Sequence, residues 1–211
     1  MISIIVRNRN EGEYIGFTLQ SICDHIPNAE VIVMDNNSTD DSMDVVTLFN
    51  TRLNIITSNI ENYTPGKSLN VAVNMCSNDI ILILSAHSQI TKMDLKSVQS
   101  LLKFHSAIFG NQIPIYRGKK INKRYIWSHF GNHDVINMHS TIEDRPFLHN
   151  AFCFYNKSDL IETPFDEELS TKEDRYWAID ILKDGKSYLY TPSIEVNHYY
   201  TGNGATWKGL G

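Results

Sequence analysis

Four stretches of the chain are almost unbroken apolar runs: ISIIV at 2–6, VIVM at 31–34, LNIIT at 53–57 and IILIL at 80–84. A run without polar alternation has no wet face, so a strand built from it must be covered on both sides. The segments between the runs have helical character. Tyr14, Phe17, Leu19 and Ile22 recur at near-helical spacing. Ser38-Thr39-Asp40-Asp41 is a set of good capping residues that predicts a short helix opening there. Pro65-Gly66 introduces a further helix carrying Leu69, Ala72, Val73 and Met75. Apolar strands alternating with helices predict an α/β, Rossmann-like fold with a mainly parallel central sheet and helices on both faces. At 211 residues the chain is expected to form one domain with a full-sized core.

The second half changes character. Residues 110–150 are rich in Asn, His, Arg and aromatics with weak periodicity, and little secondary structure is expected there. Order returns with a strand over His149–Tyr155, a helix from about Thr171 to Lys183, and strands at Ser187–Thr191 and Ile194–His198. Residues 201–211, TGNGATWKGLG, hold four of the eleven glycines and are expected to form a mobile C-terminal loop. A net charge of −5 with scattered Lys and Arg offers no basic face for nucleic acid. No apolar run approaches the ~20 residues a membrane span needs, so only peripheral membrane contact is left open. Met1 runs straight into the first strand, so no leader is expected. Three cysteines without a CxxC suit reduced thiols in a cytoplasmic protein.

Open sheets of this kind bind ligands beyond the carboxyl ends of their strands. The segments to search are therefore 7–11, 35–38, 57–67 and 85–88. One of them holds a partial phosphate-loop motif, TPGKS at 64–68. A P-loop needs GxxxxGK[ST], and its first glycine would fall at Glu61, whose carboxylate repels phosphate. The later apolar strand ends in Ser85, where such an enzyme would want an Asp for magnesium. A P-loop NTPase is disfavoured on both counts.

The post-strand segments, taken in order, resemble the family 2 glycosyltransferases of GT-A fold. SIIVRNRNEGEYI (3–15) is similar to that family's opening strand and Asn-Glu pair, and VIVMDNNSTD (31–40) to its nucleotide-binding VVDxxSTD segment. PGKSLNVAV (65–73) resembles its PGKALN helix. HNAFCFYNKSDL (149–160) and PFDEELSTKEDRYWA (164–178) resemble the strand, helix and FDE…EDxxxA segment that follow. The resemblance covers residues 2 to 200. It implies a nucleotide-binding half over 1–105 and an acceptor-side half over 106–200 of one GT-A domain. It also implies sugar transfer (hexosyl or related) from a nucleotide-sugar donor to a glycan or lipid-linked saccharide, as in polysaccharide biosynthesis. One departure stands out. Where the family has Asp-x-Asp, or Asp-x-His with a later His, to hold a divalent metal such as Mn2+ or Mg2+, this chain has Ser85-Ala86-His87, and His198 ends the last strand. The resemblance makes His87 and His198 the candidate metal ligands. Packing histidines at strand ends are the bland alternative.

Residue by residue, the same resemblance puts Arg7, Asn10, Glu11, Asp35, Asn36, Lys67, Asn70 and Ser85 at the donor. Asp35 with Asn36 suits base N–H groups or ribose hydroxyls; the alternative is a turn cap. Asn10 and Glu11 fit the same pocket or a helix N-terminus. Lys67, in the first turn of its helix, gains nothing from the helix dipole, which points to a phosphate or carboxylate partner if it is not simply solvated. Trp207 would cover a ring and Lys208 reach phosphate if the glycine-flanked tail closes over the donor. Ser170-Thr171-Lys172-Glu173 has capping-box spacing, which gives Glu173 a structural task. Asp174 then shares a helix face with Trp177, Ala178 and Ile181. It would lie at the cleft end of an apolar stripe, where partial desolvation suits a carboxylate to taking a proton. The resemblance makes Asp174 the expected base of an inverting transfer; a helix N-terminal acid stabilised by the dipole is the alternative. Gln112, Arg117, Arg124, Trp127 and Arg145 are candidates for meeting donor or acceptor. The alternative reading is a non-catalytic glycan- or nucleotide-binding GT-A domain; a nucleotidyltransferase is disfavoured because the opening segment lacks a glycine-rich loop.

Overall fold

The computed structural model describes residues 1–121, 125–202, 204 and 207. The chain begins β1 (Ile2–Asn8), α1 (Ile15–His25), β2 (Glu30–Asp35), α2 (Ser42–Leu48), β3 (Asn54–Asn59), α3 (Pro65–Met75) and β4 (Ile80–Ser85). It continues with β5 (Ser88–Lys92), α4 (Leu95–Leu101) and β6 (Ala107–Tyr116). Four two-residue strands follow, β7 (Lys119–Lys120), β8 (Val135–Ile136), β9 (His139–Ser140) and β10 (Arg145–Pro146), with a 3-10 turn at Tyr125–His129 among them. The last elements are β11 (Phe152–Asn156), α5 (Lys157–Glu162), α6 (Glu173–Lys183) and β12 (Tyr188–Tyr199).

The main sheet runs in the order β3-β2-β1-β4-β11-β6-β12-β5. Its first four strands are mutually parallel, β11 enters antiparallel between β4 and β6, and β6 and β12 are again parallel. The chain steps outward from β1 to β2 and β3, then returns to place β4 on the other side of β1. That reversal opens a crevice at the carboxyl ends of β1 and β4.

Three of the four apolar runs, those in β1, β2 and β4, behave as their pattern requires; the fourth, at 53–57, leads into the edge strand β3 and is largely exposed apart from Leu53. Ile4, Val6, Val31, Val33, Leu82 and Leu84 pack to one side with Leu19 and Ile22 of α1 and Val98 of α4. Ile5, Ile32, Met34, Ile81 and Ile83 pack to the other with Leu69 and Ala72 of α3 and Trp177, Ala178 and Ile181 of α6. The apolar stripe expected beside Asp174 is thus real. All three cysteines are free thiols. Among the described residues, no helix is long and apolar enough to cross a membrane.

Three further expectations need correction. Residues 110–150 are not structureless, for the ten-residue β6 enters this region as one of the inner strands of the sheet. Ser187–Thr191 and Ile194–His198 are one strand, β12, with a register shift between Thr191 and Glu195. The predicted capping residues at 38–41 precede a helix that starts only at Ser42, and Asp41 makes no side-chain cap bond.

The glycine of PGK has a packing reason. A Cβ on Gly66 would lie 2.2 Å from the Asp166 carbonyl oxygen, and Asn70 one turn later bonds both the N–H and the C=O of Phe165. The start of α3 is therefore pressed backbone to backbone against the segment that leads into α6. Gly66→Ala is expected to lower the unfolding free energy by roughly 1–3 kcal/mol, measured by urea titration against the parent chain.

Candidate active site

A cavity of about 530 Å³ opens at the crevice. Arg7, Asn8, Arg9 and Glu11 line it from β1 and the following loop, Asn36 from the end of β2, and Ser85 and His87 from the end of β4. Tyr63, Pro65, Ile126, Glu143 and Gly204 add to the wall. His149–Ala151 and Ser170–Arg175 close the far side. His87 and Asp174, deduced separately from the sequence, face one shared space.

Asp174 is buried at the start of α6. Its Oδ2 accepts from the Asn150 N–H at 2.9 Å and from Arg175 Nη1 at 2.8 Å, and its Oδ1 accepts from the Arg175 N–H at 2.9 Å. A carboxylate offers about four acceptor positions, so these bonds leave room on Oδ1 for a proton from the cavity. Arg175 also bonds the Leu148 carbonyl and lies over the Phe147 ring at 4.5 Å. Burial opposes its charge, but Asp174, Glu143 and Glu173 more than offset that and raise its pKa.

Glu173 is not part of a capping box. Lys172, the residue before the helix, takes the left-handed conformation at φ 65° without a side-chain cap bond. Glu173 instead turns into the site, where its Oε1 accepts from Arg7 Nη1 at 2.9 Å and Asn150 Nδ2 at 3.3 Å. For Arg7, too, burial pulls the pKa down and nearby Glu173 pulls it up, with a net rise that keeps it charged.

The other wall holds histidines. His87 and His198 present their Nε2 atoms to each other at 3.1 Å. His87 Nδ1 lies 3.2 Å from Glu11 Oε1, close enough for ion pairing but out of hydrogen-bond alignment. His198 Nδ1 meets Gln112 Oε1 at 2.9 Å, and Gln112 Nε2 meets His149 Nδ1 at 3.1 Å. Burial holds His149 and His198 well below the ordinary histidine value. Neighbouring charge adds to this, chiefly Arg175 at His149 and His87 at His198. Two nitrogens bound near right angles to one ion at about 2.1 Å each lie about 3 Å apart, so the His87–His198 pair fits a divalent metal. Among the described residues no third His, Cys, Asp or Glu joins them in a group that could hold one.

Of the residues expected at the donor, Arg7, Glu11, Asn36 and Ser85 line the cavity. Asn10, Asp35, Lys67, Asn70 and Trp207 are not among its lining residues. Asp35 is buried in a turn, accepting from Asn8 and from the N–H and hydroxyl of Ser38, which is the turn-cap alternative. Asn10 ties the same two loops together through Ser38 and Thr39. Lys67 folds back onto the Glu61 carbonyl at 2.9 Å, and Asn70 serves the Phe165 backbone. Trp207 is packed against Trp127, His198 and Tyr200. Lys208 and Arg124 lie outside the described residues. Gln112 and Trp127 are buried behind the histidines, Arg117 is in an exposed turn, and Arg145 lies over Tyr176. The sequence reading passed over Glu143, His149, Asn150 and Arg175. The last stands beside Asp174 in KEDR, and a buried acid's need for a cation was the available signal.

The model for glycosyl transferase family 2 matches residues 3–163. Over 211 residues the chain is 25% identical to TarS of Staphylococcus aureus (strain Mu50), a poly(ribitol-phosphate) beta-N-acetylglucosaminyltransferase, covering 93% of this chain and 36% of the relative. The chain therefore spans about a third of that protein's length. In solved structures, S. aureus TarS 1–349 with UDP-GlcNAc superposes with a TM-score of 0.75 at 21% identity, covering 99% of this chain and 61% of the other. The mannosyltransferase PcManGT from Pyrobaculum calidifontis, with GDP-Man and Mn2+, gives 0.71 at 18% identity, covering 96% and 58%.

The depressed histidines link stability to acid. A histidine kept neutral in the fold binds its proton more readily once unfolded, so stability is full above the unfolded value of about 6.5 and is lost as pH falls below it. The slope is about 1.4 kcal/mol per pH unit for each such group. The thermal midpoint is expected to drop between pH 7 and pH 5, and His149→Gln to drop less, as followed by circular dichroism.

Proposed function

Because the chain belongs to glycosyl transferase family 2, we propose that it moves a sugar from a nucleotide-sugar donor to a hydroxyl of a glycan or lipid-linked saccharide, with inversion. The reading extends to a cytoplasmic role in polysaccharide biosynthesis. The observation that carries it is the shared cavity, with the Asp174 carboxylate on one wall and the His87–His198 pair on the other.

Asp174 takes the proton from the acceptor hydroxyl as that oxygen attacks the anomeric carbon, and the nucleoside diphosphate leaves from the opposite face. The Asn150 N–H and Arg175 hold the carboxylate in place for this. Arg7, kept charged by Glu173, supplies a fixed positive group against the charge growing on the leaving diphosphate. Asn36 and Glu11 are the donor-side polar groups of the same wall. A divalent ion, Mn2+ or Mg2+, would be held by Nε2 of His87 and of His198, with diphosphate oxygens filling its other positions. When bound it supplies Lewis-acid relief of charge on the leaving phosphate.

Asp174→Asn is expected to lower kcat on the order of 10²–10⁴-fold while donor binding, read as thermal stabilisation by UDP-, GDP-, dTDP- and CMP-sugars, persists. UDP-GlcNAc and GDP-mannose, held by the structural neighbours, come first in that screen. Turnover by Asp174→Asn near the parent rate would remove the base assignment. His87→Ala and His198→Ala should each weaken dependence on divalent ions, and undiminished activity in chelator would reject the metal.

A further inference from the structure

Gln112 lies on β6 with 2% of its surface exposed, behind the histidine pair and away from the cavity. Its amide joins two imidazoles, and the direction of each bond follows from a backbone group. The Ala151 N–H points at His149 Nδ1 at 3.2 Å. A backbone N–H can only donate, so Nδ1 of His149 is bare and acts as acceptor. The Gln112 atom that meets this nitrogen at 3.1 Å must then be the amide NH2. Its carbonyl oxygen consequently faces His198 Nδ1 at 2.9 Å. A carbonyl can only accept, so His198 carries its proton on Nδ1 and leaves Nε2 with an open lone pair. That lone pair points to His87 Nε2, 3.1 Å away.

We propose that Gln112 is a positioning residue: by reading the Ala151 amide through His149, it locks His198 in the Nδ1–H tautomer and turns a bare Nε2 toward the place where a divalent ion would sit beside His87. The inference rests on the metal reading given above and adds to it the group that prepares the ligand. An isolated neutral histidine would divide between two tautomers, only one of which leaves Nε2 able to bind. The Ala151 amide itself is fixed by the sheet, since the Ala151 carbonyl accepts the Ser85 N–H at the end of β4.

Two variants test the assignment. Gln112→Met keeps length and removes both hydrogen bonds. Gln112→Glu keeps an oxygen that accepts the His198 proton and gives up only the donor toward His149. Mn2+ uptake is read from the loss of the free-ion EPR signal, with and without UDP, and long-range 15N–1H spectra of histidine-labelled protein report the tautomer, with His198→Ala assigning the signal. Parent protein should show His198 as Nδ1–H without metal. Gln112→Met should lose that signature and bind Mn2+ roughly 10–100-fold more weakly. Gln112→Glu should keep the signature and bind within a few-fold of the parent. A role confined to packing predicts the reverse order, because a buried carboxylate disturbs the core more than a methionine does. His198 found as Nε2–H in the parent overturns the proposal, as does a Gln112→Met variant that binds Mn2+ as the parent does. Mn2+ uptake that survives His87→Ala and His198→Ala, or no uptake at all, instead overturns the metal reading beneath it.

Discussion

The antiparallel pairing of β11 against β4 is the constraint from which the site follows. With Phe152 opposite Leu84, the three residues before β11 are laid directly beside the end of β4. The Ala151 carbonyl accepts from the Ser85 N–H, the Ala151 N–H donates to His149 Nδ1, and the Asn150 N–H donates to Asp174 Oδ2. One short stretch of backbone thus orients both the histidine wall and the acid wall. A slip of one residue in this register would turn each of these groups to the opposite face. The interior of β11, with Cys153, Phe154 and Tyr155 fully buried, prevents such a slip.

Charge in the cavity is arranged in pairs that join distant parts of the chain. Arg7 on β1 meets Glu173 on α6. Glu143 has Lys172 at 3.0 Å and Arg175 at 3.9 Å. Burying an ion is tolerable only when a partner and hydrogen bonds replace its water, and these contacts meet that condition. They also leave charged groups of both signs fixed before any ligand arrives, which is the arrangement that stabilises changing charge without reorganisation.

The fold was legible wherever burial on both faces wrote itself as an apolar run. β1, β2 and β4 are of this kind, and so is the stripe of Trp177, Ala178 and Ile181 on α6. β6 escaped because Gly110, Asn111, Gln112 and Pro114 interrupt its rhythm. Gly110 is there because a Cβ would lie 2.5 Å from the Phe152 ring, and Gln112 because its amide serves two histidines. Both look like loop residues to any reading that knows only neighbours along the chain. The site was legible in part for a related reason. His87 and Asp174 stand where strand and helix ends point, so local order finds them. Glu173 was misjudged because its spacing imitated a cap, while its real partner, Arg7, lies 166 positions away. Asp35 and Asn10, placed at the donor by likeness of motif, hold two loops together in the structure.

Lys172 shows what the site demands of the backbone. A left-handed conformation costs a lysine on the order of 1 kcal/mol or more, and glycine or asparagine would sit there with less strain. Neither could carry an ammonium to Glu143 at the rim of the cavity. A lineage under selection for heat tolerance alone would be drawn toward glycine at this point, and in relaxing the chain it would give up a cation at the doorway to its acids.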